Sequence, residues 1–302
     1  MLAAADLNQR LAIAGEVEFT VADHGALVAQ VTNAQGSGSI ACQGAQVLTW
    51  APTGQAPVVW LSSDARFTAT KSLRGGIPVC WPWFGAHAQD AAKPAHGFAR
   101  NLDWAVRETA STPEGTRIVF GFTPGVEQQA LWPHSADLTL TVVLGKTLRL
   151  VLTTRNTGGE TIAITQALHT YFHVGDIAAV QVEGLEGTEY IDKVVSGDPR
   201  IVQDGPIGID QEVNRIYLGC PGSVAIRDES LGRRILIDKS GSASYVVWNP
   251  WAETGAKFGD MGPDGYRQML CVETTNAASD TATIAPGGAY ELTSEYRVEP
   301  LS

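Results

Sequence analysis

Two ionisable residues in strand-like surroundings offer acid–base chemistry. His169 lies in ALHTYFHVG and Glu273 follows the apolar residues 269–272 in MLCVETTN. A histidine titrates close to neutrality, so it can donate and accept a proton by turns. A carboxylate at the end of a buried apolar run is desolvated, which raises its pKa and suits a general base. Alternation along a strand puts His169, Tyr171 and His173 on one face and Leu168, Thr170 and Phe172 on the other. The plain alternatives are a partly buried structural histidine and a strand-end glutamate that faces water.

Cations and aromatic rings concentrate in the segment KSLRGGIPVCWPWFGAHAQDAAKPAHGFAR, residues 71–100. Gly75 and Gly76 allow turns that a β-carbon would block, and Pro78 and Pro82 stiffen the backbone. Trp81, Trp83 and Phe84 offer flat apolar faces that suit a sugar ring or a core. Arg74 and Arg100 offer planar forks for a phosphate or carboxylate. Between residues 66 and 107 the cations Arg66, Lys71, Arg74, Lys93, Arg100 and Arg107 face only Asp90 and Asp103, a positive island in a chain of net charge -11. A second irregular stretch, WNPWAETGAKFGDMGPDGYRQ, carries Trp248 and Trp251 and leads into the Glu273 strand. Two aromatic loops and two ionisable residues at strand ends are what a saccharide cleft needs.

The elements that must position these groups are strands. After a short helical lead in residues 2–14, period-two segments recur: EVEFTVA, LVAQVTN, SIACQGAQVLTWAP, PVVWLS, LDWAVRETA, RIVFGFTP, ADLTLTVVLG and KTLRLVLTTRN, the last two joined in a hairpin. The texture continues through IAITQALHTYFHVGD, VQVEGLEGTEYID, EVNRIYLG, SVAIRDES, RRILIDKSG, SYVVWNPW, QMLCVETTN and YELTSEYRV. On the order of fifteen strands with hardly a helix predict an all-β chain, a large β-sandwich, with residues 1–302 as one domain and 1–15 as its helical lead, the alternative being a jelly-roll pair or another two-domain β protein.

Composition narrows the function. At 44% hydrophobic and 18% charged residues the chain is globular, and its pI near 5.0 disfavours nucleic acid and anionic membrane surfaces as partners. No apolar run reaches the length of a membrane span, and the N-terminus lacks a signal peptide's basic start, so a cytoplasmic setting is expected. Cys42, Cys80, Cys220 and Cys271 have no metal or redox spacing and read as reduced core thiols, so neither a metal nor another cofactor is expected.

In order along the chain, RGGIPVCWPWFG, HGFAR, LHTYF, VVWNPW and CVET resemble the D-hexose-6-phosphate mutarotases, the glucose-6-phosphate 1-epimerases of the galactose mutarotase-like superfamily. The motifs run from about Arg74 to Glu273 and the strand pattern continues beyond them. The resemblance implies a β-supersandwich with an open cleft and no metal or covalent intermediate. It maps His169 onto the general acid and Glu273 onto the general base. It maps Arg74 and Arg100 onto the residues that hold the substrate's phosphate, and puts His96 beside the sugar. Ala95 and Asn214 depart from the family pattern at positions expected to touch substrate, and Trp248 joins them as an aromatic contact.

The implied activity is interconversion of the α and β anomers of a hexose 6-phosphate, by a monomer. Ring opening takes a proton from the anomeric hydroxyl and gives one to the ring oxygen, so it needs an acid and a base, expected about a sugar's width apart. Two other readings compete. One is a non-catalytic sugar-phosphate binding module. The other is a glycoside hydrolase, which would need a second carboxylate beside Glu273 from among Asp176, Asp260 and Asp264.

Overall fold

A computed structural model describes residues 3–23 and 25–301 of the chain. Period-two patterning becomes antiparallel sheet almost everywhere it occurs. In Ala136–Leu144 every second side chain is buried, and the strand turns through a tight hairpin into Leu148–Asn156, with Leu144 paired to Leu148. These strands belong to a nine-stranded sheet that also contains Gly115–Phe122, Arg233–Ser240 and Ala289–Pro300.

An eight-stranded sheet packs on it. Its order is Arg200–Val202, Glu189–Asp192, Val213–Leu218, Ser244–Asn249, Met269–Asn276, Gln166–Leu168 and Val79–Cys80, and Tyr171–His173 also pairs with Met269–Asn276. Side chains at the even positions of residues 168–172 point between the sheets. Phe172 meets the Tyr296 ring edge-on at 5.0 Å, and Thr170 shares a 2.6 Å hydroxyl hydrogen bond with Tyr296. One buried apolar cluster runs from Leu7 to Tyr296 and includes residues of both sheets. A four-stranded sheet of residues 17–52 and a two-strand pair complete the β structure.

The all-β sandwich agrees with the expectation, and several details differ. Strands are shorter and more numerous than fifteen, and there are 23 among the described residues. PVVWLS makes only isolated bridges, Val59 to Phe172 and Leu61 to Gly75. The helical lead is confined to Ala4–Leu11, and Leu2 lies outside the described residues. Short helices at Val126–Leu131 and Trp251–Ala256 have too few turns to show an apolar period.

One expectation about the central segments needs correction. Glu273 is not at a strand end, since Met269–Asn276 continues through Thr274, Thr275 and Asn276 and is buried along its whole length. The polar tail hides in the interior because each group is satisfied: Thr274 bonds Ser294 at 2.9 Å, Thr275 bonds Ser244 at 2.9 Å, and the Asn276 amide donates to Gly241 O at 3.0 Å. For Trp81 and Trp83, whose rings suit a sugar or a core, the fold takes the second role. Both are buried in the core, with Trp81 donating to Thr154 Oγ1 and Trp83 to Pro94 O.

Candidate active site

The outer face of the eight-stranded sheet forms the floor of a cavity of about 790 Å³. Strand register builds that floor in rows. Ile191, Ile216, Val246 and Glu273 are successive cross-strand partners. Leu168 pairs with Thr274 and Tyr171 with Cys271, so the register is the same on both sides of the break at residues 169–170 and His169 stands opposite Glu273. At the break the His169 amide keeps to the other neighbouring strand, donating to Pro78 O at 3.0 Å, while the Thr170 amide turns back to Leu168 O at 3.0 Å. The next row runs Asn214, Trp248, Cys271, Tyr171, and all but Cys271 line the cavity.

Cross-strand neighbours lie close enough to touch. His169 Nε2 is 3.3 Å from Glu273 Oε1. Both residues are buried, and His169 Nδ1 and Glu273 Oε2 are buried without a hydrogen-bond partner. Burial raises the Glu273 pKa well above the ordinary carboxylate range, opposed by the positive charge of Arg100. Burial also lowers the His169 pKa well below the ordinary imidazole range, helped by His96, Arg100 and Arg74. Burial therefore favours the neutral form of each group, the carboxyl and the imidazole alike. The expected separation of a sugar's width is corrected by this contact. The anomeric hydroxyl and the ring oxygen are bonded to the same carbon, so groups serving them must be neighbours.

Loops supply the walls. His96 adopts φ 65°, and its ring packs against Phe84 and lies 5.6 Å from the His169 ring. The Gly85 amide donates to His96 Nδ1 at 3.3 Å, so the neutral ring carries its proton on Nε2. Burial and the Arg100 charge push the His96 pKa down to about 3, which keeps it neutral. The apolar surround is Phe84, Tyr171, Trp248 and Phe258. Of these, Phe258 had no distinguishing signal in the sequence beyond its place in the tryptophan-bearing loop.

Arg74 and Arg100 enter the same cavity, as do Lys193 and Arg200. Three of these cations have acidic partners: Arg74 with Asp260, Lys193 with Asp198 and Arg200 with Glu189. Among the described residues Arg100 has none. Its Nη2 donates to Ala95 O at 3.1 Å, and its Nε is buried without a partner. The positive island is thus largely neutralised, because Lys71 also meets Asp260 and Arg107 meets Asp137. Lys193, Asp198 and Arg200 carry no site signal in the sequence, since they belong to the hairpin of Glu189–Asp192 and Arg200–Val202, which only the sheet order brings round.

No carboxylate completes a hydrolase pair from the three candidates. Asp260 is held by Lys71 and Arg74, Asp176 caps residues 177–179, and Asp264 borders a different cavity. None of them lines the cavity of His169 and Glu273. Among the described residues no helix is long and apolar enough to cross a membrane.

Comparison with known proteins gives the chain's family. The aldose 1-epimerase family profile matches residues 15–297. A protein of Escherichia coli K12 named "Putative glucose-6-phosphate 1-epimerase" is 38% identical over 283 residues, covering 94% of this chain and 91% of that one. A protein of the same name from Salmonella typhimurium is 39% identical over 82% of this chain and 83% of its own. A crystal structure titled as a "putative mutarotase" from Salmonella typhimurium superposes with a TM-score of 0.89 at 34% identity, covering 96% of each chain. A galactose mutarotase-like protein from Clostridium acetobutylicum shares the fold, with a TM-score of 0.75 at 14% identity over 94% of this chain and 98% of that one. With its fold, its cavity and its His–Glu pair, the chain belongs to the aldose 1-epimerase family.

Proposed function

We propose that the protein interconverts the α and β anomers of a hexose 6-phosphate, with His169 and Glu273 as its proton-transfer pair and Arg74 and Arg100 as the anchor of the phosphate. The observation that carries this reading is the 3.3 Å contact of His169 Nε2 with Glu273 Oε1 inside a cavity that also holds Arg100, a guanidinium without an acidic partner among the described residues. A phosphate dianion gives that guanidinium the charged acceptor it lacks.

In the productive form Glu273 is a carboxylate and His169 an imidazolium. Glu273 accepts the proton of the anomeric hydroxyl as His169 donates its proton to the ring oxygen, the C1–O5 bond breaks, and the aldehyde forms. The pair is left as a neutral carboxyl and a neutral imidazole, the state that burial already favours. Ring opening thus discharges two groups in a poorly solvated pocket, and part of the barrier is offset by that relief. Rotation about the C1–C2 bond presents the other carbonyl face. Closure then runs both transfers backwards. His96 Nε2–H and the Asn214 amide reach hydroxyls of the ring, and Trp248 and Phe84 cover its apolar C–H faces. No nucleophile is needed, because two positioned groups suffice for a reaction that water itself permits slowly.

The whole chain, 1–302, is read as one unit, supported by the continuous core that joins its sheets. We also propose that it works as a monomer in the cytoplasm; sedimentation that gave a dimer mass would remove the first of these. The activity is tested by NMR exchange spectroscopy on equilibrated glucose 6-phosphate. Wild type should exchange the anomers faster than buffer, and an unchanged rate would end the reading.

A further inference from the structure

Tyr171 touches both halves of the proposed site. Its ring stacks on the His169 imidazole at 5.0 Å with an interplanar angle of 12°, and its hydroxyl accepts a hydrogen bond from Arg74 Nη1 at 3.2 Å. The ring has little freedom, since the Trp60 ring stacks on it at 5.9 Å and the Trp248 ring meets it edge-on at 5.9 Å. It is only 4% exposed.

Arg74 is fixed on three sides. Nε donates to Asp260 Oδ1 at 2.9 Å, Nη1 donates to Tyr171, and the guanidinium lies 4.5 Å over the Phe258 ring. Nη2 has no protein partner among the described residues, and Arg74 borders the cavity. The fork is therefore held by its back and side, with one edge left for a ligand. A guanidinium so oriented loses less side-chain entropy when it binds an anion than a free one does. His169 gains in a related way. A flat phenol against its ring restricts rotation about χ2 and keeps Nε2 towards Glu273, and the ring face also favours the imidazolium form.

We infer that Tyr171 is the positioning residue that ties the proton donor to the arginine holding the substrate's anionic end. This rests on the function proposed above. One side chain sets the distance and angle between the two, so the phosphate subsite and the acid cannot drift apart independently. The hydroxyl and the ring do separable jobs: the first orients Arg74, the second orients His169.

The test compares Tyr171→Phe with Tyr171→Leu, with folding monitored by thermal denaturation. Phenylalanine keeps the stack and deletes the acceptor. Tyr171→Phe should raise KM for glucose 6-phosphate by about fivefold or more, from the lost charge-assisted bond, while kcat changes by less than about twofold. Tyr171→Leu removes the stack as well and should lower kcat by about tenfold to a hundredfold. Phenylalanine thus rescues kcat but not KM. A Tyr171→Phe enzyme with wild-type KM, or a folded Tyr171→Leu enzyme with wild-type kcat, overturns the proposal. So does a loss of both constants in both variants in proportion to lost thermal stability. If wild type exchanges no anomers, the functional reading falls, and calorimetric titration with inorganic phosphate still tests the link to Arg74: binding weakened severalfold in Tyr171→Phe supports it, and equal binding overturns it.

Discussion

Glu273 and His169 are cross-strand neighbours held at 3.3 Å by a register that continues unbroken on both sides of the His169 turn. A pair that passes protons in one concerted event acts as a unit. His169→Ala and Glu273→Gln should each lower kcat by about 10²- to 10⁴-fold, and the double variant should cost little more than the worse single one. Anomer exchange rates measured at saturating substrate check this; additive losses would mean that the two residues act independently.

The pH dependence of kcat follows from the directions of the two pKa shifts. The working pair carries one proton. The acid limb marks entry of a second proton, and the lowered His169 pKa moves it below the ordinary 6.5. The alkaline limb marks loss of the last proton, which the raised Glu273 pKa moves above the ordinary 4.5. The acid fall of kcat should therefore begin only below pH 6.5, with both limbs belonging to the pair. A kcat that halves at pH 6.5 would contradict it.

Arg100 has no acidic partner and its Nε none of any kind among the described residues, so an anion docking there would have no ion pair to break first. Arg100→Ala should raise KM for glucose 6-phosphate by about ten- to a hundredfold, the worth of a charged hydrogen bond, and raise KM for unphosphorylated glucose much less. Parallel kinetics on the two sugars decide it. Equal effects on both would remove Arg100 from the phosphate subsite.

His96 and His169 should each cost the fold stability on mild acidification, a loss that Glu273 partly offsets, because its raised pKa lets the fold bind a proton the unfolded chain does not. His96 and His169 are held neutral in the fold, with pKa values below the 6.5 expected when unfolded. Below that pH the unfolded chain binds protons that the folded chain refuses, so the stability present above pH 6.5 is lost as pH falls, at about 1.4 kcal/mol per pH unit for each group. For His96 the loss continues to about pH 3. Urea midpoints of wild type and His96→Gln between pH 7.5 and 5 should diverge, the variant having the shallower slope.

Gly97 has φ +71°, and a β-carbon there would sit 1.9 Å from Trp81 O. Gly97→Ala must shift the core strand segment at Trp81 or the His96 loop, at a cost of at least about 2 kcal/mol. Thermal denaturation should show the loss, and activity at a temperature where the variant is folded should also drop, because His96 is the preceding residue.

Much of the site was readable as residue types. His169, Glu273, Arg74, Arg100, His96, Asn214 and Trp248 all line the cavity. Flat apolar rings suit a sugar or a core, and for Trp81 and Trp83 only packing against Thr154, Phe98 and Trp132 decides for the core. Glu273 was read as a strand end because Thr274, Thr275 and Asn276 look solvated, while in the fold their hydroxyls and amide meet partners on distant strands.

By itself the order of amino acids determined local matters: alternating strands, glycine turns, an acidic chain with clustered cations, and which groups have protons to exchange. These depend on side-chain chemistry and near neighbours, which a linear text contains. Only the tertiary structure decided distance and charge state. Register across the eight-stranded sheet set His169 against Glu273, and sheet order brought Lys193 and Arg200 to the same cavity. Enclosure then moved both the acid and the imidazole towards their neutral forms, because desolvation depends on everything that surrounds a group, whatever its position along the chain.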